Sequence, residues 1–452
     1  MLIAVIPVHD VSEALKLINV YQSRVDGFEL RWDYDTKCHL PDIQAIRAST
    51  RLPLIFTLRR QDQGGRYVHD EQQRFQDMLK LCEGHPDYVD LEWDVPKNWL
   101  ITIRQRYPNL KIIGSYHHFE NATFIFPDDD FDIIKVAVYC HSSLDALKLL
   151  QVQKNASKPS IFIGMGPSST FIRPLGPIFG RLFDYASVSE CNAVVEGQLS
   201  VDELLDVYRY RDINEHTRIY GLIGYPIEAS LGHLYHNQAF INNNVNAVYV
   251  KIPIKLSEVQ SFFELIQSLP FDGLSVTMPL KKAVCSMVSN LDSKMQAINT
   301  LKRINDQWFG INTDGEGAIQ AIGDKLSNTF ILGAGGAAFA IAQALIAKGV
   351  EVVAYNRTPY DNLGFKVIHQ FPEDNYGLVI NTLPDDVYQD NPELLKAVLD
   401  WIKPGMAVMD VNYQKEGVFL KAIQQLDVEI IWGVEMFYAQ AQLQLKYWGY
   451  DQ

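Results

Sequence analysis

The run FDIIKVAV, residues 131–138, sets one lysine, Lys135, in an apolar stretch with the length and composition of a buried β-strand. Burying a charged amine is costly unless something compensates it. Three roles would answer: a lysine whose amine snorkels to solvent, an ion-pair partner, or a nucleophile that forms an imine with a carbonyl. His117, after the preceding apolar run, supplies a group able to exchange protons near neutral pH. Arg31 and Arg59 supply fixed positive charge, which suits a carboxylate-bearing substrate. Crowding by cations, together with burial, also favours the neutral amine that attacks carbonyls. An imine is an electron sink, so a proton beside it becomes removable by a modest base.

A second set of residues lies in the other half. GAGGAA, from Gly333 to Ala338, follows the apolar TFIL and opens AAFAIAQALIAKG, with VEVVAY next. Glycines also serve tight turns and close helix packing, but strand, turn, helix and strand in this order favour a pyrophosphate site. Gly333, Gly335, Gly336 and Ala337 would let backbone approach the phosphates at a helix N-terminus. The acidic residue that would bind a ribose 2′-hydroxyl is absent; Asn356, Arg357 and Thr358 stand there. Arg357 suits a 2′-phosphate, which points to NADP rather than NAD. Upstream, Lys281 in SVTMPLKK and Asp314 in INTDGEG are candidates for an acid/base pair. Taken singly, Lys281 reads better as a surface lysine and Asp314 as an ordinary turn aspartate.

These residues need elements to hold them. Apolar runs occur at 2–8, 27–32, 53–59, 88–93, 111–116, 133–138, 160–165 and 185–189, separated by amphipathic or charged stretches such as SSLDALKLLQVQKN. The alternation implies βαβ units and a parallel sheet. Eight runs are the number that closes a (β/α)₈ barrel, although an open doubly wound sheet accommodates the same pattern. The polar residues decide. Glu29, Arg31, Arg59, Asp90, Glu92, His117, His118, Lys135, Gly164, Gly166, Ser189 and Glu190 gather toward the C-terminal ends of successive runs, where a barrel places its active site. Around YRYRDINEHTR the apolar periodicity stops, which places a domain boundary near Glu215. A new α/β pattern begins at Ile219.

With 452 residues, two or more domains are expected. A net charge of −14 argues against nucleic-acid and anionic-membrane partners, while leaving room for a local basic pocket. No run is long enough to span a bilayer, and MLIAVIPVHD reads as a first strand rather than a signal peptide. Five scattered cysteines without metal-like spacing suit a reducing cytoplasm, and no metal is expected.

FELRWD, FTLRRQDQGG, SYHHF, IIKVAV and GQLS together resemble the strand-end motifs of type I 3-dehydroquinate dehydratase over about residues 1–213. The resemblance implies a Schiff base at Lys135, with His117 as general acid/base. Glu29, Arg31, Arg59 and Arg173 would hold the substrate's hydroxyls and carboxylate, with Gln198 on a closing loop. Water would leave 3-dehydroquinate to give 3-dehydroshikimate. Two departures stand out. Gln63 replaces the glutamate that orients the histidine, and VVEGQ replaces Ser-Ala-Pro-Gly-Gln, so that Val194 stands for a serine and Glu196 for a proline.

From about Ile219 onward, GYPIEASLGHLYHN, SVTMPLKK, AINTL, INTDGEG and GVEMFYAQAQ resemble shikimate dehydrogenase. By that resemblance Lys281 and Asp314 handle the proton while NADPH delivers hydride. Ser230, Thr277, Asn299, Asp314, Tyr413 and Gln440 would bind substrate, and Gly433 and Met436 would border the nicotinamide. The family's Ser-x-Ser-Pro reads Ser230-Leu231-Gly232-His233 here, so Gly232 opens space that would admit quinate, with its additional hydroxyl. Ser275, in place of a commoner asparagine, looks less consequential.

The two resemblances fall on consecutive steps of the shikimate pathway, which makes a bifunctional enzyme the main expectation. Its substrates would be 3-dehydroquinate, 3-dehydroshikimate and shikimate. Residues 1–214 would form the barrel and 215–452 the dehydrogenase. Within the latter, 215–318 with a C-terminal helix at about 437–452 would form an α/β substrate lobe, and 319–436 a Rossmann-type NADP lobe. The alternatives are a shikimate or quinate dehydrogenase with a weakened barrel, and a non-catalytic sensor of quinate-like metabolites.

Overall fold

The computed structural model describes residues 1–34, 40–122, 130–188, 196–290, 296–357, 364–413 and 417–450. Eight strands fill the first half: β1 (Leu2–Pro7), β2 (Gly27–Arg31), β3 (Leu54–Thr57), β4 (Tyr88–Glu92), β5 (Lys111–His118), β6 (Ile133–Tyr139), β7 (Ser160–Met165) and β8 (Asp184–Ser187). Their order is β7-β6-β5-β4-β3-β2-β1-β8, with every ladder parallel. No ladder joins β7 to β8 among the described residues. The seam is bridged near its base, where the Leu182 amide donates to the Ser160 carbonyl at 3.1 Å. The barrel expected from the eight runs is therefore present and nearly closed.

Helices follow β1 to β4 and β6: α1 (Val11–Tyr21), α2 (Leu40–Ser49), α3 (Glu71–Cys82), α4 (Lys97–Arg106) and α5 (Ser143–Lys154). Side-chain caps set three of their starts, with Asp70 accepting from the Gln73 amide at α3. The Asp10 carboxylate accepts from the Ser12 amide, and Ser142 forms a reciprocal capping box with Asp145. After β7 the chain makes 3₁₀ turns at Pro167–Ile172 and Gly176–Phe179 instead of an α-helix. His117 and His118 are the last residues of β5 rather than followers of it, and Arg59 lies two positions beyond β3. Ser189, Glu190 and Val194 lie outside the described residues.

Side chains alternate along each strand, so every second residue faces the barrel axis. Ile3, Val5, Ile55, Ile113, Ile133, Ile161 and Ile163 pack into one apolar cluster there. Glu29, Asp90, Ser115 and Lys135 occupy the same alternation and are equally buried. Lys135 thus points inward because of its parity within β6.

The second half starts with a five-stranded sheet, order β10-β9-β11-β12-β13, built from β9 (Arg218–Gly224), β10 (Ala247–Pro253), β11 (Phe271–Val276), β12 (Thr300–Ile304) and β13 (Gln307–Ile311). β12 runs antiparallel to both neighbours. Helices α6 (Gly232–Asn242), α7 (Val259–Ile266) and α8 (Asp314–Ile322) accompany it. Six parallel strands follow: β14 (Thr329–Leu332), β15 (Val352–Tyr355), β16 (Lys366–Ile368), β17 (Leu378–Asn381), β18 (Ala407–Asp410) and β19 (Glu429–Trp432). Their order, β16-β15-β14-β17-β18-β19, is the doubly wound dinucleotide-binding arrangement. TFIL is β14 as expected from sequence.

Both faces of this sheet are covered, which explains strands that are apolar throughout. One cluster joins it to α8, α9 (Gly336–Ala347) and Met436. The other joins it to α10 (Asp385–Asp390), α11 (Pro392–Trp401) and α12 (Val418–Ile423). The last helix, α13 (Gly433–Trp448), starts a turn earlier than the sequence suggested. Among the described residues no helix is long and apolar enough to cross a membrane. The chain divides into two compact units, residues 1–219 with 244–254 and 260–270, and the remainder; each site below lies within one of them.

Candidate active sites

A cavity opens at the C-terminal end of the barrel. Glu29, Arg31, Arg59, His117, Lys135, Arg173 and Gln198 all line it, together with Tyr185, Met165, Ile163, Ala137 and Val5. Seven residues from three strands (β2, β5 and β6) and three loop segments therefore converge, as a barrel's active-site end requires.

Lys135 is 5 % exposed. Its Nζ lies 2.9 Å from Asp90 Oδ2, 3.4 Å from Glu29 Oε1, and 4.1 Å above the centre of the Tyr185 ring. The expected crowding by cations is not what surrounds it: the charged groups in contact with the amine are carboxylates. The arginines carry partners of their own. Arg59 binds Asp90 at 2.7 Å and donates to Ser115 Oγ, while Arg31 makes a two-pronged pair with Asp33 at 2.8 Å. Burial would raise the Asp90 carboxyl, but Arg59 and Lys135 outweigh it and hold it well below the usual range.

Arg173 differs. Its guanidinium is 3 % exposed and donates to the Gly164 carbonyl at 2.9 Å, yet it has no salt bridge among the described residues and its Nε is unpartnered. Burial first, and nearby Arg181 second, bring it down to about 10. A buried guanidinium without a carboxylate is a ready receptor for a substrate's carboxylate.

His117 is neutral. Burial, reinforced by Arg59 and Lys135, pushes its imidazole well below the ordinary histidine value, so it does not titrate near neutral pH as its type suggested. Gln63 accepts from the His117 main-chain amide at 2.9 Å. The imidazole itself is not held by that amide, and its buried Nδ1 has no hydrogen-bond partner among the described residues. Sequence reasoning missed Tyr185, whose place in an apolar strand gave no signal beyond core packing.

In the second half, Lys281 Nζ lies 2.5 Å from Asp314 Oδ2. Asn299 Nδ2 donates to Asp314 Oδ1 at 2.7 Å and approaches Gln440 Oε1 at 3.5 Å. Lys281, Asp314, Asn299 and Gln440, drawn from four separate motifs, thus form one polar network. Thr313, not anticipated, joins it through Asn299 Oδ1 and Gln440 Oε1. Ser275 proves structural, donating from a buried position to Gln444 of α13 at 2.9 Å. Ser230, Thr277 and Tyr413 make no hydrogen bond to the network among the described residues. Ser230 Oγ accepts from the Gly232 amide, Thr277 follows β11, and Tyr413 packs on Phe437 with ring centroids 5.2 Å apart.

Both halves of the chain have counterparts among known proteins. Residues 2–215 match the family model for type I 3-dehydroquinase, and residues 222–301 match that for the shikimate dehydrogenase substrate-binding domain. Over 458 aligned residues the chain is 32 % identical to the shikimate biosynthesis protein AroDE of Chlamydia pneumoniae, covering 94 % of this chain and 91 % of that one. The chain belongs to the bifunctional 3-dehydroquinate dehydratase/shikimate dehydrogenase family. A chloroplastic bifunctional member from Arabidopsis thaliana is 30 % identical, covering 93 % of this chain and 77 % of that one. The dehydrogenase half alone is similar to the NADP(+) shikimate dehydrogenase of Aquifex aeolicus, at 29 % identity over 52 % of this chain and 93 % of that one.

The dehydrogenase half carries a fitting cradle for a dinucleotide. Gly333 follows β14 at φ +104°, and a Cβ there would lie 2.5 Å from Thr382 Oγ1, after β17. The turn thus sits at the switch point between β14 and β17, where doubly wound sheets bind nucleotides. Gly335 caps α9 without a side-chain hydrogen bond, and a Cβ on it would meet nothing within 4 Å. That open backbone, with Gly336 and Ala337 next, leaves room and free amides for phosphate. Asn356 and exposed Arg357 follow β15 with no acidic residue between. Thr358 lies outside the described residues. Gly433 and Met436 begin α13, with Gly433 against the Asp410 carbonyl.

Proposed function

We propose that Lys135 forms an imine with the ketone of 3-dehydroquinate, that neutral His117 takes the proton beside it, and that Arg173 holds the carboxylate. The lone buried guanidinium of Arg173, beside arginines already neutralised, is the observation that carries this reading. Glu29, Arg31, Arg59 and Gln198 surround the ring's hydroxyls. His117 then returns the proton to the departing hydroxyl, which leaves as water, and hydrolysis of the imine frees Lys135 and 3-dehydroshikimate.

The dehydrogenase half reduces 3-dehydroshikimate to shikimate with NADP as cofactor, which in its reduced form, NADPH, would supply the hydride when bound. Lys281 and Asp314 manage the proton at the carbonyl oxygen; Asn299 and Gln440, with Ser230, Thr277 and Tyr413, hold the substrate. We place the boundary at residues 214 and 215, with 215–318 and about 437–452 as substrate lobe and 319–436 as NADP lobe. The end of the five-stranded sheet at Ile311 and the start of the six-stranded sheet at Thr329 support the split between the two lobes at 318 and 319. Unpaired Cys82, Cys140 and Cys285 suit a reducing cytoplasm.

NADPH oxidation by the purified protein tests the whole reading. It should proceed with 3-dehydroquinate and with 3-dehydroshikimate. Oxidation with 3-dehydroshikimate alone would favour the weakened-barrel alternative and direct attention to Gln63; binding of either compound without turnover would favour a sensor.

Two further outcomes are expected. Because the His117 imidazole is held below the ordinary ~6.5, its neutral form persists into acid. The acid limb of kcat/KM for dehydration should therefore lie well to the acid side of an ordinary histidine limb; a limb centred near 6.5 would remove His117 as the titrating base. Gly232, which begins α6 beside Ser230, should allow quinate and shikimate to be oxidised with comparable kcat/KM. Absence of quinate turnover would sink that expectation.

A further inference from the structure

We infer that the phenol of Tyr185 donates a hydrogen bond to an oxygen of the ring bound in the dehydratase pocket, an assignment that rests on the dehydratase reading above. Tyr185 belongs to β8, is 4 % exposed, and lines the cavity shared by Lys135, Arg173 and His117. Its ring packs in the apolar cluster of the barrel interior, and its face lies under Lys135 Nζ. Its hydroxyl has no hydrogen-bond partner among the described residues.

A phenylalanine would fill this space and make the same ring contacts without burying a lone O–H, which loses its hydrogen bonds to water. The hydroxyl therefore marks a point where a polar partner arrives with the ligand. Burial and the neighbouring Glu29 and Asp90 keep the phenol protonated, so it acts as a donor. The ligand's carboxylate is taken by Arg173 and its ketone by Lys135. The hydroxyls are what remain for Tyr185 to bind.

Tyr185→Phe in the full chain separates the hydroxyl from the ring. KM for 3-dehydroquinate should rise about tenfold with kcat within about twofold, the scale of one neutral hydrogen bond. The concentration of 3-dehydroquinate that half-saturates borohydride trapping of the imine should rise by the same factor. The thermal midpoint without ligand should be unchanged or higher, because an unsatisfied buried group has been removed. Wild-type KM and trapping in Tyr185→Phe would overturn the inference and leave the dehydratase reading intact. A wild-type chain that neither turns over nor traps 3-dehydroquinate would overturn that reading itself.

Discussion

Replacing Lys135 with methionine should lower dehydration on the order of 10⁶-fold, the scale seen when a covalent nucleophile is removed, while reduction of 3-dehydroshikimate continues at the wild-type rate. Parallel assays of the two half-reactions check this, and retention of even one per cent of dehydration would exclude the imine. The variant also has a measurable cost in folding. Deleting a desolvated amine, considered alone, would stabilise the barrel. Here it strips Asp90 and Glu29 of a cation in a buried site, which is unfavourable. Asp90 keeps Arg59, and Glu29 keeps the Thr57 hydroxyl at 2.7 Å, so the loss should be about 1–3 kcal/mol rather than a failure to fold.

The acid side gives the sign. Asp90 has a depressed carboxyl in the folded state, so its contribution is present above the unfolded value of about 3.9 and disappears as pH falls through the lower folded value. Without Lys135 that depression shrinks. Acid unfolding followed by circular dichroism between pH 2 and 5 should therefore move to higher pH in the variant.

The second large effect is expected at Lys281. Lys281→Met should reduce the rate of ketone reduction by roughly 10²–10⁴-fold, the range of a positioned proton donor, with dehydration unchanged. Because its amine sits 2.5 Å from Asp314, the two act as a unit. Lys281→Met combined with Asp314→Asn should cost little more than the worse single change, whereas multiplicative losses would show independent roles. Loss of both activities in either single variant would point to misfolding or coupling between the halves.

Much of this was legible in the residue order. Eight apolar runs became eight strands because a strand covered on both faces has little need of polar residues. The inward set Glu29, Arg31, Lys135 and His117 was legible because strand parity is fixed by counting in twos. What could not be read was which strands' side chains meet. Asp90 reaches Lys135 from two strands away, through the registers of β4 with β5 and β5 with β6, and no spacing in the chain encodes that contact. The expected cation crowding failed for the same reason: Arg31 and Arg59 stand near Lys135 in the barrel but are committed to Asp33 and Asp90. Tyr185 resembled core because its ring is core and only its hydroxyl is not. Ser275 looked incidental until α13 folded back to place Gln444 against it.

One short stretch of the dehydrogenase half carries two demands at once. Asp314 is the first residue of α8, and the glycines just after it, Gly315 and Gly317, are pressed against neighbouring helices. A Cβ at Gly315 would fall 2.5 Å from the Ala340 carbonyl of α9, and one at Gly317 would fall 2.7 Å from Gln440 Cβ on α13. Even a methyl group would push α13 and its Gln440 away from Asn299 and Thr313. In a saturation mutational scan, both glycines would therefore score with the intolerance of active-site residues, although neither has a side chain with which to touch a substrate.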